Sequence, residues 1–574
     1  MGIPVPISNS RGWRAFCLIQ RMAGLGEDDV LNKNKPRGAG TGRRENKGNN
    51  DMTIKRRMLL LGGATMLAMT QFAMPAKSSA TDAGTPVSGG TLVIAQDANP
   101  PSLDPHKSAA FATTNITEQI YGGLLRWDEA GTSIEPDLAQ SYEVVDELTY
   151  RFVLRGDVTF HNGAPLTSAD VKFTFDRIAD PATASPWKSL FASIAEIETP
   201  DDRTVIFHLS EPFSPLLNYL ASVKYSAIVN KADVEQRGDL VSGGAGTGPF
   251  KFVSFQSNSA LELARNENYY EEGLPYLDGL EFRIIPDEGS RVAAMRSGSA
   301  DLTWLTTPEV VDQLAKTPGF DAPEEQPDNR VLLMELDQRV APFDDVRVRR
   351  ALSLALDRQQ IADIVWRGGA NLSAAIPPAQ QPFGIPSADV PALPYQGEDL
   401  KQAKSLLAEA GYPDGFETVF AVSPLTFSDV AVAQVVQQQA QRVGIKIKIE
   451  QKEWGSLIKD FQGTLVPISM AGLAPAPDPE ANLKIRFDSA SSVNPGKTRD
   501  PEIDAFFVRG RQTTDVAERA EIYRQLQEYI ADQAYAIFPA AMPLRFEVWS
   551  DTLKGYQATP FAQRVLLRKA WLAQ

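Results

Sequence analysis

One cysteine, three histidines and no apolar run long enough to cross a bilayer mark this chain of 574 residues. Each scarcity removes a class of chemistry. Cys17 precedes the stretch that reads as an export signal, so the mature chain can form neither a disulfide nor a thiolate metal site, and no cysteine is placed to carry a lipid anchor. His106, His161 and His208 are scattered, without an i, i+4 pair or a ligand-like cluster, which disfavours a histidine metal cage. His161 sits in the turn Phe160-His161-Asn162-Gly163, where a structural hydrogen bond is the expected job. Gly243 to Gly248 is glycine-rich, but no Lys-Ser/Thr follows and Pro249 leads into strand-like FKFVSF, so the stretch reads as a turn and not as a phosphate loop. G-x-S-x-G does not occur. No cofactor and no metal are expected.

What is present begins with an export signal. Lys55-Arg56-Arg57, the apolar run Met58 to Met69, Pro75 and Ser78-Ser79-Ala80 follow the order of a basic region, a hydrophobic region and a small-x-small cleavage site, so cleavage is expected after Ala80. Met52 then reads as the initiator, residues 1–51 as an over-extended or disordered start, and 52–80 as the signal peptide. The net charge of the whole chain is −15; residues 1–80 carry 13 of the basic and 5 of the acidic groups, leaving 44 basic and 67 acidic, a net of −23, on the remainder. Such a surface repels nucleic acid and anionic lipid. A soluble exported monomer is expected, and its length calls for more than one core.

Periodicity then places elements. Gly89 to Ala95 reads as a strand, Ile116 to Leu125 as helical, and Tyr142 to Leu154 and Thr204 to Leu209 alternate as strands of a β-rich insert. Thr167 or Ser168 is placed to cap a helix running through Arg177. Near mid-chain, Val331 to Leu336 is too short for a helix and is closed by Ala341-Pro342. From Asp345, residues Val348, Ala351, Leu352, Ala355 and Leu356 form one apolar stripe, with Arg347, Arg349 and Arg350 expected in water. Asp357 caps a second helix with Gln360 at its third position and Gly368-Gly369 as its stop. Phe416 to Val422, Asp429 to Val443 and Ile445 to Glu450 spell strand, helix, strand, a right-handed parallel βαβ unit. Ligands of open α/β sheets lie beyond the carboxyl ends of strands, which points to Ser423 and Trp454, the latter equally readable as a core or rim ring.

Six pieces stand in register from about Gly89 to Gly555: FVLRGDVTFHNGAPLTSADVKFTFDRIADPATASP, Gly246-Thr247-Gly248-Pro249-Phe250, LARNENYYEEGLPYLDGLEF, SGSADL, PFDDVRVRRALSLALDR and DLKQAKSLLAEAGYPDG. Together they resemble the family 5 extracellular solute-binding proteins of bacterial ABC importers, the oligopeptide, dipeptide and nickel type. The resemblance implies an α/β two-lobe periplasmic binding protein fold of type II, in the large cluster with an extra subdomain in the first lobe. On that likeness lobe I takes residues 81–125, the β-rich subdomain 126–220, lobe I again 221–331, lobe II 332–540 and a return to lobe I 541–574. The chain would cross near Val331 and come back through Ile537 to Arg545. Function follows as expectation: a periplasmic, non-enzymatic receptor that closes on a small or peptide-like solute and delivers it to a permease whose ATP comes from a separate ATPase subunit. A secreted hydrolase on this scaffold, or a chemosensory or chaperone-like protein, stays open.

The resemblance also implies a cleft. Phe111, after Leu103-Asp104-Pro105, would face the ligand from lobe I, with Met334 and Glu335 from the crossing strand and Leu473 and Asp478 from lobe II beside Ser423 and Trp454. Peptide-binding members typically show Gly-Trp-x-x-Asp-Tyr before an Asp-Pro, the first aspartate pairing with the peptide α-ammonium. Here Gly472-Leu473-Ala474-Pro475-Ala476-Pro477-Asp478-Pro479 is one residue shorter, with leucine for tryptophan and no acid before Asp478. Unless Asp478 or Glu480 takes the role, a buried ammonium would lack its partner. The expected ligand is therefore a modified peptide, an opine-like conjugate or a sugar derivative, with free di- and oligopeptides as the alternative.

Overall fold

A computed structural model describes residues 84–574 apart from 130, 132, 324–329, 368, 424–426, 454–455, 458–459, 461–464, 474–475, 492–493, 543–545, 559–565 and 574. The expected signal, the cleavage after Ala80 and Trp454 lie outside the described residues. Two large sheets organise the rest. The first has seven strands in the order Phe320–Asp321, Phe546–Ser550, Leu302–Leu305, Thr91–Gln96, Gly279–Ile284, Ala260–Arg265 and Phe250–Gln256. Thr91–Gln96 pairs in parallel with both of its neighbours, while the outer strands run antiparallel. The second sheet runs Ile445–Gln451, Phe416–Val422, Ile468–Leu473, Arg330–Leu336, with Ala536–Ile537 and Ala541–Met542 both paired to the last. The two sheets are the frames of the two lobes.

Arg330–Leu336 is interior to its sheet, so both faces must be apolar, and its side chains alternate between two cores. Leu332, Met334 and Leu336 join the helices Val346–Leu354 and Arg358–Trp366. Val331 and Leu333 join Leu473, Phe507 and Tyr523 on the other face. The strand pairs antiparallel with Ile468–Leu473, Val331 opposite Leu473. Asp345 and Asp357 cap the two helices through the amides of Arg347 and Gln360, at 2.8 and 2.9 Å. The second helix stops one residue before the expected glycines, at Arg367, which takes a left-handed φ of +55°. The βαβ unit forms as read: Phe416–Val422 and Ile445–Gln451 are parallel and joined by the helix Phe427–Gln441. Ile445–Gln451 is the edge, and Lys446 and Lys448 stand exposed along it, which discourages further strand addition.

The extra subdomain is a four-stranded antiparallel sheet, Ala139–Asp146, Thr149–Leu154, Thr204–Leu209 and Ile194–Glu198, packed on the helix Ser168–Ala179. Thr167 starts that helix, its amide and hydroxyl donating to the Asp170 carboxylate at 3.1 and 2.8 Å. The core here is aromatic, with Phe152, Phe175 and Phe207 in edge-to-face contact.

Three expectations need correction. The helix expected over Ile116 to Leu125 is Phe111–Ile120, because Gly122-Gly123 breaks it and Leu125–Trp127 pairs as a strand with Ile134–Pro136. Arg349, expected in water, is 4% exposed and donates to the carbonyls of Gln533, Phe343 and Asp344. Its planar fork finds enough acceptors at helix ends to be buried. The chain changes sheets between Asp321 and Arg330 and again between Met542 and Phe546, so the first passage precedes Val331.

Candidate functional site

Two chambers meet between the lobes. The first, with about 870 Å³ of empty space that includes open solvent, is lined mainly by residues of lobe I, with Ala476 and Pro477 contributed by lobe II. Its floor is the loop Gly246–Pro249, drawn against the end of the helix Phe111–Ile120. A Cβ on Gly246 would lie 1.9 Å from the Ile120 carbonyl oxygen, and one on Gly248 2.5 Å from that of Gln119, so only glycine permits the approach. His161 pins this loop: its amide donates to Gly246 O at 2.8 Å, its Nε2–H donates to Gly248 O at 3.0 Å, and its Nδ1 accepts from Gly246 N–H at 3.3 Å. That pattern requires the neutral ring, and burial pushes its pKa down to about 4. His106 does the same deeper in lobe I, donating from Nε2 to Ala227 O at 2.9 Å and accepting from Arg177 at 2.8 Å, with burial and the Arg177 charge bringing it to about 4.

One wall of this chamber is charged. Arg126 donates to Glu135 at 2.7 Å and to Asp137 at 3.3 Å, and it also meets Glu271. Arg568, 3.6 Å from both Glu271 and Glu129, joins the C-terminal segment to the same network. Burial raises the pKa of Asp137, opposed by Arg126 and by the Tyr270 hydroxyl that donates to it at 2.5 Å. Burial opposes the charge of Arg126, but Asp137 and Glu271 outweigh it and keep the guanidinium protonated. Tyr269 and Tyr270, Trp127 and Tyr225 supply ring faces. Beside Tyr225, the Lys224 ammonium lies 5.4 Å from the ring centres of Phe111 and Tyr225 and 5.5 Å from that of Trp187.

The second chamber, with about 1240 Å³ of empty space that likewise includes open solvent, lies between the extra subdomain and lobe II. Trp127, Ala476 and Pro477 line both chambers. Beside it, lobes are tied directly: the Ser214 amide donates to Arg511 O at 2.8 Å, and Asn218 Nδ2 donates to Asp478 at 2.8 Å.

The residues expected in the cleft fall mostly elsewhere. Met334 and Leu473 are core, 0% and 5% exposed. Glu335 is buried against Arg486 at 3.2 Å; burial pushes its pKa up to about 7, the guanidinium pulling the other way without overcoming it. Ser423 ends its strand as a buried residue and lines neither chamber, and Phe111 stands half-buried under Lys224. Asp478 is fully buried. Arg519 grips it at 2.7 and 2.8 Å, and it caps the helix Pro479–Phe487 by accepting from Glu480 N at 3.0 Å. Glu480 in turn receives Arg511 at 2.9 and 2.8 Å. Of the wall residues that sequence reasoning missed, Tyr269-Tyr270 and Gly248-Pro249 lie within motifs that carried the family resemblance, and that was their only signal; Arg126, Trp127, Tyr225 and Arg568 lie outside those motifs.

Two lobes on separate sheets, with two chambers between them, are the architecture of a two-lobe solute-binding protein. The comparisons agree. Residues 133–494 match the bacterial extracellular solute-binding proteins, family 5 Middle. A probable di/tripeptide-binding protein 5 of Pseudomonas aeruginosa is 29% identical over 521 residues, covering 84% of this chain and 96% of that protein. Heme-binding protein A of Haemophilus influenzae is 30% identical over 541 residues, covering 88% and 96%. Among solved structures, the PBP AgaA from A. tumefacien R10 in complex with agropinic acid superposes with a TM-score of 0.70 at 26% identity, over 84% of this chain and 99% of that one. The chain belongs to the family 5 bacterial extracellular solute-binding proteins and is a substrate-binding component of an ABC importer, the periplasmic partner of permease and ATPase subunits.

Proposed function

We propose that this receptor captures a solute without a free α-ammonium group: a modified peptide, an opine-like conjugate of amino acid and sugar, or a sugar derivative. The observation that carries the reading is the engagement of Asp478. Of the two acids that could have replaced the missing aspartate, Asp478 is held by Arg519 and Asn218, and Glu480 by Arg511. Asp137, on the wall of the first chamber, is engaged by Arg126 and Tyr270. An ammonium closed into this site would have to compete with Arg519, Arg511 and Arg126 for these carboxylates, at a cost of several kcal/mol against the ~8 kcal/mol that micromolar affinity represents. The similarity to a protein that holds agropinic acid is consistent with this class.

Capture would proceed by closure of the two lobes on the solute, bringing Ala476-Pro477 down on the first chamber. The test is titration calorimetry with unmodified di- to pentapeptides beside mass spectrometry of ligand that co-purifies from the periplasm. Weak or no binding of the peptides and a blocked or conjugated compound in the co-purified fraction are expected. Submicromolar binding of any unmodified peptide refutes the ligand class and restores the free-peptide reading.

A further inference from the structure

The two chambers differ in chemistry. Among the described lining residues of the first are Glu118, Arg126, Asp137 and Arg568; among those of the second, Arg519 is the sole charged side chain, and its charge is paired with Asp478 at 2.7 and 2.8 Å while its Nε donates to Gly510 O at 2.6 Å. The other polar side chains of the second chamber carry amides and hydroxyls, several of them fixed by hydrogen bonds to the protein. Asn218 Nδ2 donates to Asp478 at 2.8 Å, Gln380 Nε2 to Ala476 O at 2.9 Å, and Gln381 Nε2 to Pro378 O and Gly384 O at 2.8 and 3.0 Å. Ser133 donates its hydroxyl to Asp128 at 2.8 Å and Ser214 to Gly510 O at 3.1 Å. Such fixed amides and hydroxyls offer a ligand oxygen lone pairs, and the Asn218 and Gln380 amides each have a second N–H beyond the bond given. Trp127, Tyr142 and Phe383 add ring faces to this uncharged wall.

A charge-free, hydrogen-bonding, ring-bearing wall suits one kind of group. A carboxylate or an ammonium there would find no counter-charge, and a plain alkyl tail would strand the polar groups. A chain or ring of hydroxyls both donates and accepts, and it offers a C–H face to the rings. We infer that the second chamber is a subsite for the uncharged polyhydroxyl part of a bipartite ligand whose charged part occupies the first chamber, the junction passing Trp127 and Ala476-Pro477. The inference rests on the proposed ligand class and narrows it to conjugates of a polyol or sugar with an amino acid.

The probes are matched pairs: N-gluconoyl and N-hexanoyl derivatives of glutamine, glutamate and lysine, which share an amide-blocked nitrogen and differ in the hydroxyls of the tail. Calorimetry on the exported protein should give at least one pair in which the gluconoyl compound binds about tenfold or more tightly than its hexanoyl partner. Ala379→Trp and Val516→Trp fill the chamber from opposite walls at positions outside the hydrophobic cores. Each should collapse that ratio to near unity with its melting temperature retained; a variant that does not fold leaves the other to decide. Equal or tighter binding of the hexanoyl compounds, no binding by any gluconoyl compound at millimolar concentration, or a ratio untouched in a folded filling variant overturns the inference. Failure of the proposed class is read separately, from submicromolar binding of unmodified peptides to the parent protein.

Discussion

Asp478→Ala separates a structural aspartate from a ligand-binding one. The substitution removes the acceptor of two Arg519 hydrogen bonds at 2.7 and 2.8 Å, of Asn218 at 2.8 Å and of the Glu480 amide at 3.0 Å. Arg519, 4% exposed on its side chain, keeps its charge with the Gly510 carbonyl and the faces of Phe383 and Tyr523 for company. Breaking a buried pair from one side costs about 3–5 kcal/mol and losing a helix cap about 1, for a total of roughly 4–6 kcal/mol. For about 490 residues unfolding together, the entropy of unfolding is on the order of 1 kcal/mol/K, so the melting midpoint should fall by about 4–6 °C. Arg519→Met added to it removes the stranded charge and should recover about half of the loss. Calorimetric melting without ligand reads the effect, and affinity for the co-purified solute is measured beside it. A midpoint within about 1 °C of the parent together with abolished binding would refute the reasoning and return Asp478 to the ligand.

The remaining predictions concern two buried histidines and the floor of the first chamber. With three histidines in the chain, NMR can follow each ring, and those of His106 and His161 should stay neutral from pH 8 to about 5, because their folded pKa values lie near 4. Unfolded histidines titrate near 6.5, so their contribution to stability is complete above that pH and drains away as pH falls toward 4; a folded-state midpoint near 6.5 for either ring would contradict the hydrogen-bond assignment. Gly246→Ala would put a methyl 1.9 Å from the Ile120 carbonyl oxygen, so it should lower stability by more than about 2 kcal/mol and weaken solute binding through a displaced floor. Parent-like melting and affinity in that variant would show that the loop is not held there.

Much of the architecture was legible because periodicity reports burial. The alternation in Tyr142 to Leu154, the parallel βαβ unit and the caps at Asp345 and Asp357 are local patterns, and local hydrogen bonds enforce them. Arg349 was misread for a related reason: position on a helix face predicts which side meets a neighbour, while the carbonyls that satisfy its guanidinium come from residues as distant as Gln533. The site was harder. Its walls come from Glu118, Trp127, Tyr225, Tyr270 and Arg568, turn or end-of-element residues that no period marks. The strand-end rule pointed at Ser423 beyond Phe416–Val422, yet the segment that closes the chambers, Ala476-Pro477, lies beyond the carboxyl end of the neighbouring parallel strand Ile468–Leu473. Which strand end faces the other lobe depends on a packing that sequence spacing does not encode.

The two large sheets are unequal in how the chain feeds them. Every strand of the second sheet comes from one uninterrupted stretch, Arg330 to Met542, whereas the first needs Thr91–Gln96 through Phe320–Asp321 and then Phe546–Ser550, inserted between Leu302–Leu305 and Phe320–Asp321. A polypeptide emerging amino end first on the far side of a membrane can therefore complete lobe II while lobe I still has a gap in its sheet. Arg568 and its neighbours, which wall the first chamber, arrive later still. Binding competence is thus among the last properties the molecule acquires, and a chain stalled in transit would hold a finished lobe but no receptor with which to sequester solute.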